Sequence, residues 1–112
     1  MVARLVPALV LATLTRSVFA ADAAYGPRLE GFEYAYPVGQ FDVTSQNQRL
    51  QMAYIDVKPG TPKGRIVVLM HGKNFCAGTW ETTIARLSEA GYRVIAPDQI
   101  GFCKSSKPIG YQ

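Results

Sequence analysis

The stretch Arg65 to Lys107, RIVVLMHGKNFCAGTWETTIARLSEAGYRVIAPDQIGFCKSSK, decides the fold of this 112-residue chain. Its apolar run 66–70 shows no polar alternation, which is typical of a strand buried on both faces of a parallel sheet. The chain then leaves the sheet at His71-Gly72-Lys73-Asn74. This loop stands at the carboxyl end of the strand, where open α/β sheets place their ligands. The sequence thus predicts a buried strand followed by a functional loop.

A helix and a second strand follow this loop. Apolar residues recur at the spacing of one helix face, at Trp80, Ile84 and Leu87, and Thr79 is the expected N-cap. Gly91 is expected just past the helix end, where a left-handed backbone is accessible without a Cβ. Residues 92–96 then form a second buried strand. Because so short a crossover reaches only an adjacent strand, we expect parallel neighbours with a right-handed connection.

The loop after the second strand carries a resemblance to a known family. Together with the strand, the His-Gly loop and the helix, the run DQIGFCKSSKP from Asp98 resembles the start of the α/β-hydrolase fold. The similarity is to the branch that includes epoxide hydrolases, haloalkane dehalogenases and small esterases, which typically writes this loop as D-x-x-G-x-G-x-S-x-x-P. Cys103 stands where the second Gly is usual, and the matching residues are Asp98, Gly101, Ser105 and Pro108.

The resemblance implies an α/β fold in which an antiparallel hairpin precedes the parallel strand–helix–strand unit. Alternating apolar residues agree with this at 40–45 and at 49–58, with a change of register after Tyr54 and a turn at 45–48. Residues 32, 34 and 36 are aromatic and also alternate, which indicates a short edge strand.

Three segments make up the predicted domain organisation. Residues 1–20 are a signal peptide, residues 21–39 an irregular lead-in, and residues 40–112 the N-terminal part of an α/β-hydrolase domain that is truncated at Gln112. A sheet of this type buries its second parallel strand between neighbours. Because the chain stops soon after the strand at 92–96, we expect this strand to keep an open apolar edge.

The first twenty residues have the pattern of a secretory signal peptide. Arg4 precedes an apolar centre at 5–14, and Val-Phe-Ala precedes a predicted cleavage after Ala20. The apolar centre is much shorter than the roughly 20 residues that a membrane-spanning helix needs. We therefore expect an exported protein, periplasmic or secreted, with no stable membrane span in the mature chain. The alternative is an N-terminal helix that tethers the protein to a membrane.

Charge and composition exclude several classes of partner. Loss of the signal segment, with its two arginines and no acidic residue, lowers the formal charge from +4 to +2 and leaves no Lys/Arg cluster, which argues against nucleic-acid binding. One histidine and two cysteines in separate loops form no evident metal ligand set, and no phosphate-binding loop is present. The expected partner is a small-molecule substrate, with no cofactor.

The resemblance also implies a chemistry. In that fold a nucleophile on a sharp strand-to-helix turn attacks the substrate, a histidine activates it, and an acid orients the histidine. One backbone N–H of the oxyanion hole comes from the loop after the third strand, which makes the N–H of Lys73 the first candidate and that of Asn74 the second. The chain contains no G-x-S-x-G, so the nucleophile, acid and base are expected outside it.

Other polar residues have competing interpretations. His71 could be a base, but we favour a structural role in which it stabilises its loop through hydrogen bonds. Asp98 is expected to hold the following loop through hydrogen bonds to the backbone rather than to act in catalysis. Cys103 lies in G-x-C-x-S, close to the elbow of thiol hydrolases, yet it comes five residues after Asp98 and opens no helix. Three aromatic residues could line a pocket, although such residues are usually core: Phe75, Trp80 and Phe102.

The two cysteines occupy matching places in the predicted loops. Cys76 lies five residues after His71, and Cys103 lies five residues after Asp98. Neighbouring strands lie about 4.8 Å apart, so the two loops leave the same sheet edge close together. With export, and with Cys103 in place of the family's usual Gly, a disulfide is the favoured interpretation. Two buried thiols are the alternative.

The expected function is therefore that of a hydrolase. The chain is interpreted as the N-terminal part of an exported α/β-hydrolase that acts on a small ester, epoxide or similar electrophile, to which it contributes the oxyanion loop. The alternative is a truncated or degenerate copy without catalysis that at most binds small ligands.

Overall fold

The computed structural model describes residues 24–110, so the predicted signal peptide lies outside the described residues. Four strands and one α-helix follow a lead-in without regular secondary structure. The strands are β1 (Val38–Ser45), β2 (Gln48–Val57), β3 (Ile66–Val68) and β4 (Arg93–Pro97). A 3₁₀ turn (Ala77–Trp80) leads into the helix α1 (Glu81–Glu89).

The strands form one mixed sheet in the order β1-β2-β4-β3. β1 and β2 form an antiparallel hairpin, β4 is antiparallel to β2, and β3 is parallel to β4. This arrangement confirms the predicted fold class, a hairpin followed by a parallel strand–helix–strand unit. The hairpin turn lies at 45–48 as predicted, because Ser45 pairs with Gln48 and two residues connect the strands. Those two, Gln46 and Asn47, both have positive φ, as favoured two-residue hairpin turns require.

The predicted change of register within β2 is wrong. Pairing with β1 runs without interruption from Val38↔Ile55 to Ser45↔Gln48. Leu50 and Ile55 are both buried, and their odd separation places them on opposite faces of the same strand. The two apolar sets in the sequence therefore reflect two faces of one continuous strand.

α1 packs on one face of the sheet and completes the core. The buried cluster consists of Ile55, Ala77, Ile84, Val94 and Ala96, with Trp80 and Leu87 packed against it. Gly91, at φ 92°, ends the helix as predicted. Its N–H donates to the Ser88 carbonyl at 2.9 Å, and that of Tyr92 donates to the Leu87 carbonyl at 3.0 Å, which is a Schellman motif.

The start of the helix differs from the prediction. The Thr79 hydroxyl donates to the Cys76 carbonyl at 2.7 Å and caps no helical N–H. The helix is entered through the 3₁₀ turn instead, and Trp80 occupies the N-cap position of α1.

The predicted burial of β3 on both faces is also wrong. Ile66, Val68 and the following Met70 share one face and are 57%, 55% and 55% exposed, because no segment of residues 24–110 covers that face. β4 lies between β2 and β3, so the open edge expected at 92–96 belongs to β3 instead.

Residues 24–37 of the lead-in are irregular and lack the edge strand that the aromatic alternation indicated. The alternating aromatic residues at 32, 34 and 36 form no strand.

No helix within residues 24–110 is long and apolar enough to cross a membrane.

Candidate functional site

The loop after β3 is built around a tight turn. The N–H of Phe75 donates to the Gly72 carbonyl at 3.1 Å, and Asn74, at φ 68°, takes the third position of the turn. Asn tolerates this left-handed conformation better than most residues, and Lys73 precedes it with negative φ, as in a type II turn. Within residues 24–110, the backbone N–H groups of Lys73 and Asn74 have no hydrogen-bond acceptor, and both residues are exposed. The turn therefore presents two adjacent donors to the surface.

His71 anchors the start of this loop. The side chain is 5% exposed, and both ring nitrogens are engaged. Nε2 accepts the Gln99 N–H at 2.9 Å, so Nδ1 carries the proton and donates to the Gly72 carbonyl, also at 2.9 Å. The ring also meets Phe102 edge to face, with centroids 5.3 Å apart. His71 thus links the two loops at the sheet edge, and neither ring nitrogen is free to take a proton from a nucleophile.

Asp98 joins three segments through one buried carboxylate. It accepts the Ala77 N–H at 2.7 Å, the Tyr34 hydroxyl at 2.8 Å and the Lys104 N–H at 3.0 Å. Burial, together with the hydrogen bond to Asp98, raises the pKa of Tyr34. Sequence reasoning missed Tyr34, because its alternation with other aromatic residues suggested a strand. The three hydrogen bonds of the Asp98 carboxylate all hold segments of the fold together, which agrees with its predicted role.

The second loop continues the hydrogen bonding of β2 where β4 ends. The Asp98 N–H donates to the Ala53 carbonyl at 2.8 Å, and the Ala53 N–H donates to Ser105 Oγ at 2.8 Å. Two residues away, Gln51 exchanges the same pair of bonds with the hydroxyl and N–H of Ser106. The motif serine at 105 is therefore a ladder partner for the sheet.

The remaining motif residues complete this loop. Gly101 has φ 92°, and its N–H donates to the Ser106 carbonyl at 2.8 Å. Pro108 follows the loop and is half-buried.

Cys76 and Cys103 join the two loops covalently. They lie at disulfide distance, with Cα atoms 5.8 Å apart, as predicted. Cys103 has φ 45°, a left-handed conformation that explains why the related motif usually places Gly there. Because its sulfur is bonded to Cys76, Cys103 is no nucleophile in this structure.

The aromatic residues proposed for a pocket divide into two groups. Trp80 packs against the core, whereas Phe75 is 57% exposed beside the turn and Phe102 is half-buried against His71. A groove lies elsewhere on the surface of residues 24–110 and contains no residue of the first loop. Its lining comes from the lead-in, the hairpin and the second loop, including Arg28, Tyr34, Tyr36, Gln40 and Lys104.

Sequence comparisons identify relatives of this chain. Residues 65–112 match the family described as the alpha/beta hydrolase fold. A haloalkane dehalogenase from Mycolicibacterium paratuberculosis is 41% identical over 83 residues, which are 72% of this chain and 27% of that protein. Epoxide hydrolase A from Mycobacterium tuberculosis is 44% identical over 52 residues, which are 46% of this chain and 16% of that protein. The chain therefore spans less than a third of either relative.

Solved structures agree with these relatives. A probable hydrolytic enzyme from Pseudomonas aeruginosa PAO1 matches with a TM-score of 0.76 and 69% identity, over 79% of this chain and 28% of that one. Haloalkane dehalogenase from Paraglaciecola agarilytica NO2 matches with a TM-score of 0.59 and 32% identity, over 68% of this chain and 25% of that one. The sheet order, the two loops and the relatives all agree. The chain therefore belongs to the α/β-hydrolase fold family and contains the N-terminal part of that fold.

Proposed function

We propose that this chain is part of an exported hydrolase that attacks a small ester, epoxide or similar electrophile through a nucleophile, and that its first loop supplies an oxyanion-hole donor. The observation that carries the proposal is the free backbone N–H of Lys73, held at the carboxyl end of β3 by the turn between Gly72 and Phe75. A fixed donor stabilises the negative charge that develops in the transition state, because it needs no reorganisation when that charge appears.

The surroundings of the turn support this role. His71, just before the turn, accepts a hydrogen bond from the N–H of Gln99. Cys76, just after the turn, is paired with Cys103 of the second loop. The Ala77 N–H, one residue further on, is bound to Asp98. The turn is thus held at both ends while its two N–H donors remain exposed, which is the preorganisation that transition-state stabilisation requires.

The substrate class rests on the relatives. The proteins matched here include haloalkane dehalogenases and an epoxide hydrolase, and hydrolases of this fold use a nucleophile from a later strand. We propose export on two observations, the signal-like pattern of residues 1–20 and the cysteine pair at disulfide distance. N-terminal sequencing of the exported protein tests the cleavage expected after Ala20.

A proline substitution tests the donor directly. Lys73→Pro removes the N–H at the second position of the turn, where proline is well accommodated, so the turn should persist. In the full-length protein encoded by the gene, we expect kcat toward an activated ester or epoxide to fall by about 10²- to 10³-fold. Lys73→Ala is the matched control: it removes the same side chain, keeps the N–H and should retain wild-type kcat. Equal kcat for the two variants, with unchanged thermal unfolding, would refute the assignment.

A further inference from the structure

We propose that Cys76, Cys103 and Asp98 form a binding site for Zn²⁺ or a similar thiophilic cation once the disulfide is reduced. The two sulfur atoms and a carboxylate oxygen all lie within 4.8 Å of one another. Two thiolates and a carboxylate are ligand types that zinc accepts. Sequence spacing concealed this group, because its members stand 22 and 5 residues apart and only the meeting of the two loops brings them together.

The distances suit a tetrahedral ion. Zn–S bonds of about 2.3 Å and Zn–O bonds of about 2.1 Å place neighbouring ligand atoms about 3.6 to 3.8 Å apart. The carboxylate oxygen lies within 4.8 Å of both sulfurs, so after reduction the sulfurs must separate and the oxygen–sulfur distances must settle near those values. Rotation of the two cysteine side chains achieves this while their Cα atoms stay near 5.8 Å apart. The three loop segments can therefore keep their backbone positions.

Asp98 is oriented in advance for such a role. Its carboxylate is fully buried and receives hydrogen bonds from Ala77, Tyr34 and Lys104. A carboxylate has about four lone-pair positions, so one remains, on Oδ1, which accepts only the Ala77 N–H. Outer hydrogen bonds of this kind fix ligating carboxylates in metal sites.

The chemistry requires a thiol reductant. A dithiol reduces the bond by exchange: it delivers two electrons and two protons, becomes a disulfide itself, and leaves Cys76 and Cys103 as thiols. Binding of Zn²⁺ then displaces both thiol protons to solvent, because the thiolate is the metal ligand. A water molecule takes the fourth position. The ion would replace the covalent link between the two loops with a coordinate one.

The test compares the full-length protein encoded by the gene in its oxidised and dithiol-reduced forms, after removal of the reductant. Titration with Zn²⁺ against a chromogenic chelator should show saturable 1:1 binding with release of two protons by the reduced form and none by the oxidised form. Co²⁺ should give a thiolate-to-cobalt charge-transfer band. Cys103→Ser in the reduced state should weaken binding by at least 10-fold. Equal binding by oxidised, reduced and Cys103→Ser protein would overturn the proposal.

A second measurement isolates the carboxylate, because Asp98→Asn removes a group that also holds the fold. X-ray absorption at the zinc edge of the reduced wild-type protein should show two sulfur ligands and oxygen ligands at about 2.0 to 2.2 Å. A shell with two sulfurs and an imidazole would overturn the role of Asp98 and indicate His71 instead. Loss of secondary structure on reduction alone, measured by circular dichroism, would also overturn the proposal, because the site depends on folded loops.

Discussion

Replacement of Ser105 by alanine should destabilise this fold far more than the same change at Ser106. Each hydroxyl accepts a β2 N–H at 2.8 Å, from Ala53 and Gln51 respectively, so the two bonds are matched in length and chemistry. The difference is burial, since Ser105 is fully buried and Ser106 is not. In Ser105→Ala the Ala53 N–H is left without a partner and out of reach of water.

The magnitudes follow from that contrast. A buried N–H without a partner costs about 1 to 3 kcal/mol. The Asp98 carbonyl also loses the hydroxyl of Ser105 as a donor, which places Ser105→Ala near the upper end of that range, at about 2 to 3 kcal/mol. In Ser106→Ala, water can reach the Gln51 N–H, so only the net value of an ordinary hydrogen bond is lost, about 0.5 to 1.5 kcal/mol.

Pulse proteolysis in urea measures both losses at protein concentrations low enough to keep the chains apart. The midpoint urea concentration, multiplied by a common m-value, gives the free energy of unfolding of each variant. Equal losses for the two variants would refute the reasoning, since the hydrogen bonds would then matter and their burial would not. A loss below about 0.5 kcal/mol for Ser105→Ala would show that the loop relaxes to satisfy Ala53 in another way.

Three further outcomes follow from the structure. The hydrogen bond from Arg93, at 2.6 Å, lowers the pKa of Asp56, so this pair stabilises the fold above the unfolded pKa of about 3.9. Asp56→Asn should therefore lower the midpoint urea concentration of unfolding at pH 7. The difference from wild type should vanish when the urea titrations are repeated at more acidic pH. Open apolar strand edges pair with other chains, so we expect self-association through β3; Val68→Lys should raise the monomer fraction in sedimentation velocity, and an unchanged fraction would contradict this. Gly91→Ala should cost about 1 to 3 kcal/mol in urea unfolding, because its Cβ would meet a backbone oxygen at 2.9 Å and φ is positive, whereas Gly60→Ala, in open space, should be neutral.

Local signals in the sequence predicted much of the fold. The Gly91 helix end, the hairpin and the parallel pairing of β3 with β4 depend on periodicity and turn chemistry within short windows, and the structure contains all three. The exposure of β3 was not predictable in this way. An apolar run indicates what a strand prefers to contact, whereas the covering of its faces depends on which other segments are present.

The candidate site divides along the same line. The cysteine pair followed from matching positions in two loops, and the turn at Lys73 followed from the His-Gly pair at a strand end. The hydrogen bond from Tyr34 to Asp98 did not, because it joins residues 64 apart and the local pattern around Tyr34 suggested a strand. Contacts of that range leave no trace in local periodicity.

The sheet order β1-β2-β4-β3 has a consequence for synthesis on the ribosome. Within residues 24–110, β3 pairs with β4 alone and leaves the ribosome before it, and the second neighbour of β2 is also β4. A nascent chain that has emerged only as far as α1 can close its hairpin, but it has no strand to which β3 can pair. Isolated hairpins are marginal in water, so stable structure has to wait for Arg93–Pro97. Until that strand emerges, the backbone of β3 is unpaired and available to chaperones.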